Sequence, residues 1–153
     1  MDFDFSDDQE QLRDAVRKWV DKGYTFDRRR GIEKAGGFDR AAYNELAELG
    51  LCGLPEQAVV AEELGRGIVL EPIAQAFMAS AVLSHYAPAA VQSAWLPRVA
   101  SGEALVVLAQ QERKARYRLD VCDAKAAPAQ SGYAVTAIKS VVPRAAVMGG
   151  CST

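Results

Sequence analysis

The chain has 153 residues, the size of one ordinary domain, and a formal net charge of −2. Half of its residues are hydrophobic and a quarter are charged, which is typical of a folded globular protein and too apolar for a disordered segment. A nearly neutral chain lacks the clustered positive charge that sequence-independent nucleic-acid binding requires, so we expect no nucleic-acid partner.

The sequence also argues against membrane, secreted and metal-binding classes. No run of about 18 apolar residues occurs, so no membrane-spanning helix is predicted. The acidic start, Met1–Phe5, lacks the positive charge of a signal peptide and predicts a cytoplasmic location. Cys52, Cys122 and Cys151 are widely spaced and His85 is the sole histidine, so we expect neither a disulfide framework nor a metal site.

The first two thirds of the chain carry helical patterns. Ser6, with Gln9 three residues later, forms a capping-box signature. Apolar residues then recur at helical spacing: Leu12, Ala15, Val16, Trp19 and Val20. Gly23 is predicted to stop this helix in a left-handed conformation. The charged stretch 26–37 is predicted to be a connector with at most a short helical turn.

Four more helices are predicted before residue 103. Asp39 caps the second, which Gly50 ends, and the third runs from about Ala58 to Leu64. Pro72 and Pro88 begin the fourth and fifth. The fourth helix has apolar residues around most of its circumference, so it is predicted to be mostly buried. On the fifth, Val91 and Trp95 are predicted to face the core.

Strand patterns follow Gly102. The continuous apolar run Ala104–Ala109 predicts a buried strand. Tyr133, Val135 and Ala137 alternate with other residues and predict a second strand. The sequence therefore predicts a mainly α fold, with a helical domain over residues 1–103 and a partial β domain over residues 104–153.

Local patterns offer little catalytic chemistry. Glu62 and Glu63 are adjacent, so they point to different sides of a helix and form no paired-carboxylate site. Glu45 and Glu48 are interpreted as solvated surface charges. His85 lies near a predicted helix end. We interpret it as a residue that interacts with the helix dipole, in preference to a catalytic base.

Three segments have some features of a phosphate site. Gly65–Gly67 follows a helix where a nucleotide loop would follow a strand, so that interpretation fails. The three arginines of residues 28–30 are better explained as a solvent-facing connector. The segment Glu112–Arg118 carries four cations and one anion just beyond a predicted strand. Phosphate binding and an ordinary charged loop both remain open for this segment.

Four short segments resemble the amino-terminal part of acyl-CoA dehydrogenases, in the right order and with the right helix-to-strand change. They are Asp2–Arg13, Leu46–Pro55, Val60–Arg66 and Trp95–Glu103. The resemblance covers nearly all of residues 1–142. It is strongest to a divergent branch that includes the small subunit of pimeloyl-CoA dehydrogenase, which shares a Glu-Arg pair followed by Arg-Tyr.

The resemblance implies an architecture and a reaction. The architecture is a helical first domain, a middle β domain and a C-terminal helical bundle. The reaction is α,β-dehydrogenation of an acyl-CoA thioester by non-covalently bound FAD, with a glutamate base and electrons passed to an electron-transfer flavoprotein. Further implied partners are the acyl-CoA substrate and other subunits in a homo- or hetero-oligomer.

The resemblance also implies the cofactor-binding residues. The family's flavin loop, Thr-Glu-Pro-x-x-Gly-Ser-Asp, aligns with residues 111–118, where only Glu112 is kept. The second flavin motif, Lys-x-Trp-Ile-Thr, aligns with Lys139–Pro143. The FAD-binding residues expected from these alignments are Gln110, Gln111, Arg116, Tyr117, Val141 and Pro143.

Two departures from the family accompany these matches. No residue corresponds to the family's catalytic glutamate, so no catalytic residue is assigned. The Gly-rich loop expected within Leu54–Ala58 is short, and the strand expected after Val142 does not continue, as if residues were missing there. A non-catalytic subunit or binding module of a heteromeric acyl-CoA dehydrogenase is the alternative that fits the altered flavin motifs.

Overall fold

The structure is a computed structural model that describes residues 5–53, 57–116, 118 and 120–142. The chain divides into two compact units, Met1–Val106 and Val107–Thr153. The described helices of the first unit are α1 Asp7–Gly23, α2 Phe26–Lys34, α3 Arg40–Glu48, α4 Gln57–Arg66, α5 Ile73–Tyr86 and α6 Ala89–Ala100, with a 3-10 turn at Leu51–Gly53. The second unit contains an antiparallel hairpin of β1 Lys125–Ala129 and β2 Gly132–Thr136.

The start of α1 is the predicted capping box. The Ser6 side chain accepts a hydrogen bond from the Gln9 backbone N–H, and the Gln9 side chain accepts one from the Ser6 N–H. These bonds satisfy donors that the first helical turn leaves free. At the other end, Gly23 is still helical and Tyr24 is the C-cap, so the predicted left-handed glycine stop is wrong.

The predicted connector 26–37 is mostly helix α2. Thr25 caps it, because its hydroxyl accepts a hydrogen bond from the Arg28 backbone N–H. The expected solvent-facing role of the arginines is wrong for Arg28, which is half-buried and ion-pairs with Glu45 at 2.8 Å. Helix propensity and a local cap were enough to form a helix that the apolar pattern did not reveal.

Glu45 joins three helices and is not the freely solvated charge predicted. It lies on α3, which follows the predicted cap Asp39 and ends at Glu48; the predicted stop Gly50, with φ +81°, comes directly after the C-cap Leu49. Its carboxylate accepts hydrogen bonds from the Trp19 indole at 2.8 Å and from the Arg28 guanidinium. These bonds hold the pKa of Glu45 below its ordinary value.

Two buried carboxylates tie distant parts of the first unit together. Glu63 of α4 accepts hydrogen bonds from Arg17 of α1 at 3.1 Å and from Arg66 at 2.8 Å. Glu71, before α5, accepts a hydrogen bond from the Tyr24 hydroxyl at 2.8 Å. Burial raises the pKa of Glu71, and it raises the pKa of Tyr24 to about 12.

The core of the first unit collects residues from five of its helices and from the 3-10 turn. Its largest fully buried apolar side chains are Val16, Tyr43, Leu46, Leu51, Val60, Ile73 and Val99. Burial of each such side chain stabilises the fold by roughly 1.5–3 kcal/mol before the entropic costs of folding.

The predicted burial of α5 and α6 is only partly correct. Ile73 and Phe77 are buried as expected, whereas Met78 is 53% exposed. Val91 and Trp95 of α6 are exposed as well, so their predicted core positions are wrong. Residues 72–97 contain no Asp, Glu, Lys or Arg. This charge-free stretch therefore presents apolar side chains at the surface of the described unit.

The hairpin confirms one predicted strand. Val135 of β2 pairs with Ala126, and Gly132, with φ +105°, ends the turn opposite Ala129. All residues of both strands are exposed. The strand predicted over 104–109 is wrong, since no described segment pairs with these residues. A continuous apolar run cannot by itself distinguish a strand from other buried backbone.

Gly67, directly after α4, packs against the buried side chain of Val20 on α1. A substitution at Gly67 therefore tests the packing of α1 against α4. A Cβ on Gly67 would lie 2.5 Å from Val20 Cγ1. Because Val20 is β-branched and cannot move away easily, we expect Gly67→Ala to destabilise the protein by about 1–3 kcal/mol in urea unfolding.

Gly65→Ala is the matched control for that substitution. Nothing lies within 4 Å of a Cβ at this helical position, so alanine should stabilise the protein by about 0.5–1 kcal/mol. Equal effects of the two substitutions would contradict the packing described here.

Candidate functional site

The residues expected to contact a cofactor lie in the second unit. Gln110, Gln111, Arg116 and Val141 are all exposed. The Ser140 backbone N–H donates to the Gln111 carbonyl at 2.8 Å, so the two predicted flavin-binding segments meet. Tyr117 and Pro143, also predicted as cofactor-binding, lie outside the described residues, as does most of the unusual Leu54–Ala58 segment.

Glu112 is the centre of this site. Its side chain is 5% exposed, although it belongs to a segment that is otherwise largely exposed. The carboxylate accepts hydrogen bonds from Lys139 Nζ at 2.7 Å, from the Ala124 backbone N–H at 3.1 Å and from the Asp123 backbone N–H. Cys122 Sγ donates to the same carboxylate at 3.5 Å. Four donors from two other segments therefore fix one side chain.

These bonds control the ionisation of Glu112. The Lys139 ammonium and the backbone donors favour the carboxylate and lower the pKa of Glu112 from 4.5 to about 2. The same ion pair raises the pKa of Lys139. Near neutral pH both groups are charged, so the contact is an ion pair and Glu112 is not a proton donor.

The backbone at Arg116 and Val141 is left-handed. Their φ angles are +51° and +54°, a conformation that glycine adopts easily and other residues rarely. Arg116 stands where the resemblance places a glycine, so the chain keeps a glycine-like turn without the glycine. A non-glycine residue there costs of order 1–3 kcal/mol. Arg116 has no ion-pair partner among the described residues.

Sequence reasoning did not assign Cys122 or Lys139 to the site and gave Glu112 no specific partner. Glu112 and Lys139 are the two residues that match the two flavin motifs of the resembled family, and the structure places them in one ion pair. Because Glu112 and Lys139 both match the family's motifs, the sequence could have indicated that these two residues are in contact. Nothing in the sequence pattern indicates the hydrogen bond from Cys122.

The other local candidates do not form a site. Arg66 of Gly65–Gly67 ion-pairs with Glu63 and Asp21, which explains it structurally. His85 is exposed near the end of α5. Within the described ranges, no group of three or more His, Cys, Asp or Glu residues is arranged to hold a metal ion. No described helix is long and apolar enough to cross a membrane.

Comparisons with known proteins agree with the predicted fold class. Residues 6–57 match the sequence model of the family described as acyl-CoA dehydrogenase, N-terminal domain. Among curated proteins, none matches the chain.

Two solved structures are similar to most of the chain. One is a glycine-to-alanine variant of the steroid ACAD Tcur3481-Tcur3483, with 25% identity, a TM-score of 0.75 and 88% of this chain covered. The other is from work on the electron transferring flavoprotein of Acidaminococcus fermentans, with 21% identity, a TM-score of 0.73 and 88% of this chain covered.

This chain spans only 41% and 40% of the lengths of those two structures. Over that share it has the fold of an acyl-CoA dehydrogenase N-terminal helical domain followed by the start of the β domain.

The Glu112 contacts predict a specific acid sensitivity of the second unit. A carboxyl with a lowered pKa stabilises the fold above its ordinary pKa of 4.5, and this contribution is lost as the pH falls towards about 2. We expect the amide NMR resonances of Asp123 and Ala124 to move through this range as their acceptor is protonated. In Glu112→Gln the movement should vanish; if it persists unchanged, another group causes it.

Proposed function

We propose that the chain is the N-terminal part of a FAD-dependent acyl-CoA dehydrogenase that carries out α,β-dehydrogenation of an acyl-CoA thioester. The observation that carries this proposal is the ion pair between Glu112 and Lys139, at 2.7 Å. It joins the two segments that resemble flavin-binding motifs. In this proposal residues 1–103 form the helical domain and residues 104–153 the incomplete β domain. The pimeloyl-CoA branch and a cytoplasmic location belong to the same proposal.

The exposed groups of these segments fit a flavin. Gln110 and Gln111 offer amide donors and acceptors for the polar edge of the ring. Val141 offers an exposed apolar side chain to its face, in place of the family's tryptophan. Arg116, whose φ angle is +51°, offers a guanidinium for the pyrophosphate at the position that aligns with the family's glycine. Tyr117 and Pro143 complete the proposed set.

In the proposed mechanism this chain positions the reactants. When bound, FAD would supply the hydride acceptor, from which electrons would pass to an electron-transfer flavoprotein. Glu112 and Lys139 hold the two cofactor segments together, because the Glu112 carboxylate, at 5% exposure, would be costly to leave without the Lys139 ammonium. No residue of this chain is proposed as the base that removes the α proton of the acyl-CoA.

Flavin binding is the direct test of this proposal. Purified protein should show the yellow flavin absorbance band, or acquire it on titration with FAD. We expect Glu112→Gln to weaken FAD binding about tenfold or more, because the amide cannot hold Lys139 as an ion pair. Arg116→Gly should keep the left-handed turn, because glycine adopts it easily, and should lose only the proposed contact between the guanidinium and the FAD pyrophosphate.

Asp120→Asn is the matched control. It also converts an ion-paired acid to an amide, but Asp120 is exposed and pairs with Arg118 within its own loop. FAD affinity should therefore be unchanged. Failure to bind FAD at a saturating concentration would contradict the cofactor assignment itself.

A non-catalytic subunit of a heteromeric acyl-CoA dehydrogenase is the second candidate. The charge-free stretch 72–97 favours it, because Met78, Tyr86 and Trp95 are exposed there and large exposed apolar groups are typical of protein interfaces.

Assembly through this stretch can be measured by light scattering after gel filtration. We expect the wild-type particle to exceed the 16.5 kDa of one chain, and Met78→Lys to reduce its mass, since a buried unpaired charge disrupts an apolar interface. Phe26→Lys is the control, because Phe26 is an apolar residue on α2 that is 60% exposed, against 53% for Met78. A colourless chain that assembles supports the second candidate; a monomer at every concentration contradicts assembly.

A further inference from the structure

The second unit contains a cavity that the proposed flavin contacts do not use. Its volume is about 440 Å³, within the range of small-molecule sites. Its lining is Glu112, Arg113, Lys114, Asp123, Lys125, Thr136, Ala137 and Ile138. None of the residues proposed to bind FAD belongs to this set.

The charges around this cavity do not cancel. Glu112 is neutralised by Lys139, and Asp123 is paired with Lys114 at 3.1 Å. Arg113 and Lys125 line the same cavity and have no ion-pair partner among the described residues. Two positive charges therefore remain for a ligand to balance.

The rest of the lining is apolar with a single hydroxyl. Ile138 is 88% exposed and lies beside Ala137 on the segment that follows β2. Thr136 of β2 pairs directly with Lys125 of β1 across the hairpin. The Thr136 hydroxyl and the Lys125 ammonium are therefore carried by neighbouring residues on the two strands. A ligand that fills the cavity thus meets a cationic part and an apolar part.

The cavity is built on fixed backbone. Glu112 accepts hydrogen bonds from the Asp123 and Ala124 backbone and from Lys139, which links the loop bearing Arg113 to the segments on either side of the hairpin. A charged group placed on such linked segments loses less freedom on binding than one on a free loop.

We propose that this cavity binds a small organic phosphate whose dianionic head is attached to an apolar body. The Arg113 guanidinium suits phosphate because its planar fork can donate two hydrogen bonds to two oxygens, and Lys125 adds a point charge. Ile138 and Ala137 contact the apolar body. The site goes beyond the proposed function, because its residues are separate from the flavin contacts.

Phenyl phosphate is the probe, titrated into the full chain by calorimetry and by amide NMR. We expect it to bind at least about tenfold more tightly than inorganic phosphate, which lacks the apolar body, and than phenol, which lacks the charge. Binding should weaken as salt is added. Saturating FAD should leave the affinity unchanged. Affinities no higher than that of inorganic phosphate would overturn the proposal.

Two kinds of variant separate the two parts of the site. Arg113→Gln and Lys125→Gln, both at exposed positions, should each weaken phenyl phosphate binding about five- to tenfold. Ile138→Ser should weaken phenyl phosphate binding and leave inorganic phosphate unaffected. Arg118→Gln is the control, as Arg118 pairs with Asp120 and does not line the cavity. Unchanged affinity in the Arg113 and Lys125 variants would overturn the proposal, whether or not FAD binds.

Discussion

A carboxylate removed from water needs hydrogen-bond donors in place of the water, and this constraint organises both units. The three buried acids among the described residues are Glu63, Glu71 and Glu112. Their partners lie far away in sequence: Arg17 is 46 residues from Glu63, and Lys139 is 27 residues from Glu112. Removing the donors of such an acid would leave a carboxylate without hydrogen-bond partners, which is destabilising. Each acid therefore fixes the meeting of two distant segments.

Local signals in the sequence predicted the element boundaries well where side chains act on their own backbone. The Ser6 capping box, the Asp39 cap and the Gly50 stop all depend on neighbours within four residues, and all are confirmed. The β2 strand, marked by alternation around Val135, is confirmed as well. Helix α2 was missed because its single buried residue, Ile32, leaves no apolar stripe to detect.

Long-range features could not be predicted from the same patterns. An apolar stripe on α5 indicates that the helix prefers contact with other apolar groups, but not whether the described unit supplies them, so Met78 was misplaced. The pairing of Glu112 with Lys139 depends on how two loops meet, and no spacing rule encodes it. The resemblance to a family identified the segments of the candidate site, and the structure identified the charges that hold them together.

The fully exposed hairpin has a consequence for how the chain opens to solvent. Its ladder is only two strands wide and has water on both faces, so its amide hydrogens can exchange after a small local opening. Helices α1 and α4 are held together by the ion pairs of Glu63 and by the buried side chains of Val16 and Val60. Exchange of their amide hydrogens therefore requires a much larger unfolding event. In a deuterium-exchange experiment the hairpin amides would therefore exchange fast and the amides of α1 and α4 slowly. Loss of the Glu112–Lys139 ion pair would make the amides of the loops that carry these two residues exchange fast as well.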